Sequence, residues 1–247
     1  MTPLIYVINL DRDAVRLESV RTNLASLGLA FERVPAVMGK DVPDWEKLVD
    51  LPTYAWRNRL DKPRAGEVGC YLSHLKAMET FLRTEAPWCV ILEDDVEVLP
   101  ACATVLRSLA EQDDWDLVKL FNFHSGMPVT KRALADGHRL VVHLTRTTCS
   151  AAYVINRRAA DTLLKSMLPI TEQVDHALDC PWETGLRMRG VRPMPVGLAP
   201  IAHTSSTIGY QDKGKAKRAL GKTVKLFLSR AKKEISRFGY GLWDAVR

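Results

Sequence analysis

The stretch Trp88–Leu99, WCVILEDDVEVL, constrains the fold of this chain more than any other. Cys89 to Leu92 is an unbroken apolar run, followed at once by three carboxylates, Glu93, Asp94 and Asp95. A short apolar run of this kind reads as a strand buried on both faces, as in parallel sheets covered by helices. Acids clustered where such a strand ends lie at the carboxyl edge of the sheet, where open α/β folds bind ligands. Three adjacent like charges repel, and a cation shared between them relieves the repulsion most directly. A solvated acidic turn is the other reading of the tripeptide taken alone. Pro100, after Val96–Leu99, suits the first position of a helix.

The segments before it read as a β-α-β opening. Pro3 to Leu10 is an apolar strand, and Asp13 to Leu27 carries apolar residues at 14, 17, 20, 24 and 27, a helical period closed by Gly28. Phe31 to Val37 is a second strand, so the chain starts a parallel sheet of the nucleotide-binding type. Neither GxGxxG nor GxxxxGK[ST] occurs, so a nucleotide must be held by other means. Residues 38–64 read as a long connection with one short helix. From Gly66 a helix follows, with Val68, Tyr71, Leu72, Leu75, Met78 and Leu82 as its apolar stripe. Glu67 and His74, seven residues apart, share one margin of that stripe. Beyond the acidic strand the pattern gives a helix over 101–112, then strands over 116–123 and 139–145 separated by a Gly/Pro-containing loop. A strand over 150–155 and a helix over 157–168 come next. Residues 169–190 read as helical with a break at Pro181, and 191–196 as a last short strand.

Composition limits the function classes. The 247 residues are 47% hydrophobic and 26% charged, as expected of a globular chain with a sizeable core. No apolar stretch reaches the roughly 18 residues that a membrane-spanning helix needs, and MTPLIYVINLDRD lacks the basic start of a signal peptide. Five cysteines without a C-x-x-C pair point to free thiols in a reducing compartment, and so to a cytoplasmic protein. The net charge of +6 is unevenly spread: residues 213–247 hold eleven of the 35 Lys/Arg and two of the 29 acids. The rest of the chain is slightly acidic, which argues against a nucleic-acid-binding body and for a basic appendage. The expected division is a body over 1–212 and a tail over 213–247.

Five stretches carry a family resemblance: VINLDRDAVR, VPAVMGKD, GEVGCYLSHLKA, VILEDDVEV and CSAAYVINRRAA. In this order they resemble glycosyltransferase family 25, the lipooligosaccharide galactosyltransferases of Gram-negative bacteria. The resemblance implies a GT-A-like α/β fold with a mostly parallel central sheet, a UDP-sugar donor, and inversion at the transferred carbon, hence a β-galactosyltransferase using UDP-galactose. A departing diphosphate needs an electrophilic clamp, and Mn²⁺ or Mg²⁺ on carboxylates supplies one. Glu93 and Asp95 stand in the places of a D-x-D motif, and alternate residues of an extended segment point the same way. Asp94 reaches either metal, ribose or sugar on this reading, and His203 is a candidate late ligand. Asn9, Arg12 and Arg16 follow the first strand as candidates for nucleotide contacts. Glu67, Ser73 and His74 match the family's GE-GC-SH pattern and are expected to line the donor side. For the general base that an inverting displacement needs, Asp175 comes first and Glu183 second. Trp182 either stacks on an acceptor sugar or belongs to the core.

Ala216, Leu220, Val224, Phe227, Leu228, Ala231, Ile235 and Phe238 recur at helical spacing among lysines and arginines, with Trp243 just beyond. This predicts a basic amphipathic helix on an anionic membrane surface. It places the enzyme at the inner face of the inner membrane, beside a lipid-borne saccharide acceptor. Two other classes remain open at this stage: a metal-dependent phosphohydrolase or phosphotransferase, and a non-catalytic saccharide- or membrane-binding module of the same fold.

Overall fold

The predicted β-α-β opening forms as β1 (Leu4–Asn9), α1 (Ala14–Ser26) and β2 (Glu32–Pro35) in a computed structural model. The structure describes residues 3–58, 60–203 and 220–247. The long connection holds two 3₁₀ turns and α2 (Leu51–Arg57) before α3 (Ala65–Leu82) leads into β3 (Trp88–Glu93), the predicted acidic strand. There follow β4 (Val96–Val98), α4 (Cys102–Ala110), β5 (Leu117–Lys119), β6 (Pro128–Ala133), β7 (Arg139–His143), β8 (Ala152–Asn156) and α5 (Arg157–Ser166). The chain continues through α6 (Val174–Ala177), α7 (Pro181–Thr184), β9 (Met188–Arg192), β10 (Val196–Leu198) and α8 (Leu220–Val246).

Eight strands form one sheet in the order β2-β1-β3-β8-β5-β9-β7-β6. The pairings set β7 and β8 against the other six strands, which all run one way, so the sheet is mixed but mostly parallel in direction. Its inner strands are buried on both faces, which is why they read as unbroken apolar runs. Tyr6, Ile8, Cys89, Ile91 and Tyr153 pack on one face beneath α3 and α5. Ile5, Val7, Val90, Leu92 and Val154 pack on the other, beneath α1 and α4.

A second, two-stranded sheet pairs β4 with β10 antiparallel, Val98 opposite Val196. It clamps the acidic turn from behind, because Ala199 N–H donates to the Asp95 carbonyl at 2.8 Å. Several strand limits differ from expectation for local reasons. β5 stops at Lys119, since beyond it Leu120 bonds Ala152 and Phe123 bonds Thr148 instead of continuing the ladder with β9. β6 lies in the stretch read as a loop: it is a mostly exposed edge strand with a register shift between Thr130 and Arg132, so it carries no apolar alternation. The helical stretch before Gly190 is two single turns, with Pro181 opening the second as expected. The predicted last strand is split into β9 and β10 around Pro193 and Pro195.

α8 lies on the body. Leu226, Ser229, Arg237 and Asp244 are buried, all on one helical face. Arg237, 3% exposed, pairs with Asp179 at 3.2 Å, and Asp244, 2% exposed, pairs with the equally buried Arg189. Lys233 pairs with Glu172, and the Tyr240 hydroxyl donates to the Leu186 carbonyl at 3.1 Å. Asp179 is held at about 2: burial alone would raise it, but Lys119 and Arg237 override burial. The same carboxylate receives Thr147 Oγ1–H at 2.5 Å and the Thr147 and Thr148 N–H groups at 3.3 and 3.4 Å. It thereby fixes a stretch in which Thr148 and Cys149 both have positive φ.

One close approach carries much of the local architecture. A Cβ on Gly69 of α3 would lie 2.5 Å from the Val37 carbonyl oxygen and 2.6 Å from the Gly39 nitrogen. Both obstacles are backbone atoms, so neither can swing aside. Gly69→Ala gains about 1 kcal/mol of helix propensity, and the clash outweighs it, since overpacking of this kind costs about 1–3 kcal/mol or more. The expected result is a melting temperature lower by several degrees in a thermal scan. An unchanged or raised value would show that the helix and the loop do not touch as described.

Candidate functional site

Glu93 ends β3, and Asp94 and Asp95 form the tight turn into β4. Glu93 Oε1 accepts the Ser150 hydroxyl at 2.7 Å and faces His74 Nε2 at 3.3 Å. His74 is fully buried in α3, and its Nδ1 lies 3.0 Å from the Tyr153 hydroxyl. A carboxylate only accepts, so in the neutral imidazole the proton sits on Nε2 and Nδ1 accepts from Tyr153. Tyr153 keeps its proton, because burial, and after it the charge of Glu93, pushes its phenol well up. Burial also pushes Glu93 up, but the His74 and Ser150 hydrogen bonds and the nearby Arg16 outweigh it and hold the carboxyl below its ordinary value.

α1 delivers Arg16 to the other two acids. Its guanidinium lies 3.0 Å from Asp94 Oδ1 and 2.5 Å from Asp95 Oδ2. Asn9, at the end of β1, donates from Nδ2 to Asp94 Oδ2 at 2.6 Å, while its Oδ1 accepts Arg33 Nε at 3.0 Å. Asp94 is thus engaged through both oxygens and is raised by burial, against the pull of Asn9 and Arg16. Asp95 is raised further, to about 6, by burial and the charge of Glu93, with Arg16 opposing. Its Oδ1 is buried and has no hydrogen-bond partner among the described residues. The turn therefore combines an excess of negative charge with an idle oxygen donor, a donor set that fits a hard divalent cation on Glu93 and Asp95. Cys70, His74 and Glu93 also offer ligand atoms within 4.8 Å of one another. His74, however, is engaged through both ring nitrogens, by the Tyr153 hydroxyl and by Glu93.

The remaining predicted residues fall into distinct positions. Arg12 is exposed beside Asp13 in the turn after β1. Glu67 accepts the Arg64 N–H at 2.9 Å, capping α3, and is also held by Tyr54 and Gln173. Ser73 donates to the Gly69 carbonyl and accepts the Val37 N–H, so its hydroxyl ties α3 to the segment after β2. Asp175 lies half-buried in the first turn of α6, with no ion pair among the described residues, and its charge acts on Cys70 together with those of Glu93 and Asp95. Glu183 pairs with Arg57 at 3.2 Å. Trp182 lies under the Arg237 guanidinium, 5.0 Å from its ring centre. The side chain of His203, and residues 204–219, lie outside the described residues.

Residues 2–178 match the model of a family described as glycosyltransferase family 25 (LPS biosynthesis protein). The chain belongs to glycosyltransferase family 25. A "Glycosyltransferase 25 family member" of Anopheles gambiae is 29% identical over 189 residues, 71% of this chain and 31% of that protein. "Procollagen galactosyltransferase 1" of Danio rerio is 27% identical over 182 residues, 68% of this chain and 30% of that one. "Probable inactive glycosyltransferase 25 family member 3" of Bos taurus is 29% identical over the same length, with the same coverages. The chain thus spans about a third of the length of these relatives. A solved glycosyltransferase involved in glycosylation of the major capsid of PBCV-1 aligns with a TM-score of 0.29 at 14% identity, covering 64% of this chain and 62% of that one, too distant to bear on the argument.

In this family 25 chain Ser150, Tyr153 and Arg33 also support the site, and local sequence pattern marks none of them. The first two lie in CSAAYVIN, which reads as a strand and as one of the family stretches, with neither residue marked as part of a site. Their role follows once β8 is known to pair antiparallel with β3, Ala152 opposite Leu92, which brings the residues before β8 beside Glu93. Crowding at the turn has a measurable consequence. Asp95→Asn removes a charge that the metal-free fold disfavours, so at pH 7.5 the metal-free variant should melt higher than wild type by several degrees. Because burial and the charge of Glu93 raise the folded-state carboxyl of Asp95 to about 6, the gap should narrow as the pH falls below 6 and close only toward the ordinary carboxylate value of about 4. Mn²⁺ should raise the melting temperature of wild type and leave the variant unmoved. A variant that still responds to Mn²⁺ would remove Asp95 from the metal site.

Proposed function

We propose that this family 25 member is a metal-dependent, inverting galactosyltransferase that moves galactose from UDP-galactose to the saccharide of a lipooligosaccharide or lipopolysaccharide acceptor. The acidic turn carries the reading: a buried idle carboxylate oxygen on Asp95 beside the charge of Glu93, in the turn that follows the carboxyl end of β3. The family description names LPS biosynthesis, and a relative is named a procollagen galactosyltransferase, which supports the choices of acceptor and donor. Glu93 and Asp95 would hold Mn²⁺ or Mg²⁺, whose charge stabilises the diphosphate leaving group.

The chain's own groups do the rest. His74 and Ser150 keep Glu93 ionised and aimed, Arg16 fixes the two aspartates of the turn, and Asn9 orients Asp94. Arg12, exposed at the same end of the sheet, is the side chain available to a donor phosphate. Asp175 takes the proton from the acceptor hydroxyl as that oxygen attacks the sugar carbon, and the bond to the UDP oxygen breaks on the opposite side. Asp175 is preferred to Glu183 because it has no ion pair among the described residues, whereas Arg57 occupies Glu183. The acceptor places the enzyme at the inner face of the inner membrane.

The test is a steady-state assay with UDP-galactose, Mn²⁺ and a soluble saccharide acceptor. Asp175→Asn should lower turnover by about 10²–10⁴-fold while UDP affinity, measured by titration, stays within a factor of two or three of wild type. EDTA should abolish turnover and Mn²⁺ restore it. Wild-type turnover in Asp175→Asn would remove the base assignment, and turnover undiminished by EDTA would remove the metal-dependent mechanism.

A further inference from the structure

α8 is built inside out for a helix that ends on a protein body. Its polar side is the buried one, where Lys233, Arg237, Tyr240 and Asp244 bond to the body. Its apolar side faces away: Val224, Phe227, Leu228, Ile235, Phe238, Leu242, Trp243 and Val246 are all exposed, Phe227 at 69% and Ile235 at 72%. Val224, Leu228, Ile235, Phe238, Leu242 and Val246 recur at steps of three, four and seven, so they form one stripe diametrically opposite Leu226, Arg237 and Asp244. Solvent alone does not favour such an arrangement.

We propose that the outward face of α8 is a docking surface for an anionic lipid bilayer, on which the helix lies in the interfacial plane. The charges around the stripe select this occupant. Lys225 and Lys232 stand exposed along its margin, while Glu234, the acid near it, is bound to Arg237. The sequence just ahead, 213–222, adds Lys213, Lys215, Lys217, Arg218 and Lys222 and no acid. A second copy of the same face in an antiparallel two-fold contact would set the margin bearing Lys225 and Lys232 against its equivalent, whereas anionic headgroups complement it. Phe227, Phe238 and Trp243 suit the depth of the headgroup boundary. No helix among the described residues is long and apolar enough to cross a membrane, so the contact is a surface one.

The buried pairs make this face a rigid foot and not a loose tether. Arg237 reaches Asp179, which fixes Thr147 and Thr148 just ahead of Ser150, and Ser150 holds Glu93. Lipid under α8 thus sets the orientation of the whole sheet, and the edge bearing the acidic turn, relative to the bilayer plane.

The experiment is co-sedimentation of the full chain with phosphatidylcholine vesicles, with and without phosphatidylglycerol, at low and high salt. It reads lipid binding alone and does not depend on the transferase reading. Wild type should bind phosphatidylglycerol-containing vesicles at least tenfold more tightly than neutral ones, and lose that preference in high salt. The triple variant Phe227→Ser, Ile235→Ser, Phe238→Ser alters exposed residues only and should melt like wild type while binding at least tenfold more weakly. Lys225→Glu with Lys232→Glu should abolish the preference for anionic lipid. Absence of vesicle binding by wild type, or equal binding by the triple variant, would overturn the proposal. So would a wild-type dimer in sedimentation velocity that the triple variant splits without any lipid binding.

Discussion

The structure depends on how three consecutive carboxylates are kept at the end of a buried strand. Asp94 and Asp95 share the guanidinium of Arg16, and Glu93 beside them is bonded to His74 and Ser150, in a place where burial strengthens every charge interaction. The fold answers by giving each acid a different environment. Glu93 gains two hydrogen bonds and stays ionised; Asp94 is hydrogen-bonded by Asn9 and paired with Arg16; Asp95 is left with an idle oxygen and the carboxyl raised furthest. Groups in contact whose affinities for protons are pushed apart mark a site built for chemistry.

That arrangement explains why the five stretches that resemble the family belong together in space. VINLDRDAVR supplies Asn9 and Arg16, and VPAVMGKD supplies Gly39, which lies against Gly69 of GEVGCYLSH. The latter also supplies His74, and CSAAYVIN supplies Ser150 and Tyr153. Each stretch contributes a group that touches an acid of the turn or a glycine contact that lets such a group come close. The family's residues are therefore not all of one kind: Glu67 and Ser73 hold α3 in place, while His74 and Asn9 act on the acids directly.

What was legible in the sequence follows the same physics. β1, α1, β3 and α3 bury continuous stripes or runs, so their periodicity announced them, and the acid cluster announced the edge of the sheet. β6 escaped because an exposed edge strand has no apolar face to show. The roles of Ser150 and Tyr153 escaped because they depend on which strand lies beside β3, and neighbours in a mixed sheet are not written in local pattern. The apolar spacing of α8 was plain, but not that its polar side would be spent on buried ion pairs with Asp179 and Arg189, since a charged residue on a helix reads as solvated until its partner is seen.

In the proposed function the acidic turn holds a divalent cation that serves a UDP-sugar. Anomalous diffraction from a crystal of the full chain grown with Mn²⁺ and UDP tests it most directly. The expected result is a manganese peak within bonding distance of carboxylate oxygens of Glu93 and Asp95, with diphosphate oxygens beside it. A peak elsewhere, or UDP bound with its diphosphate remote from the turn, would contradict it.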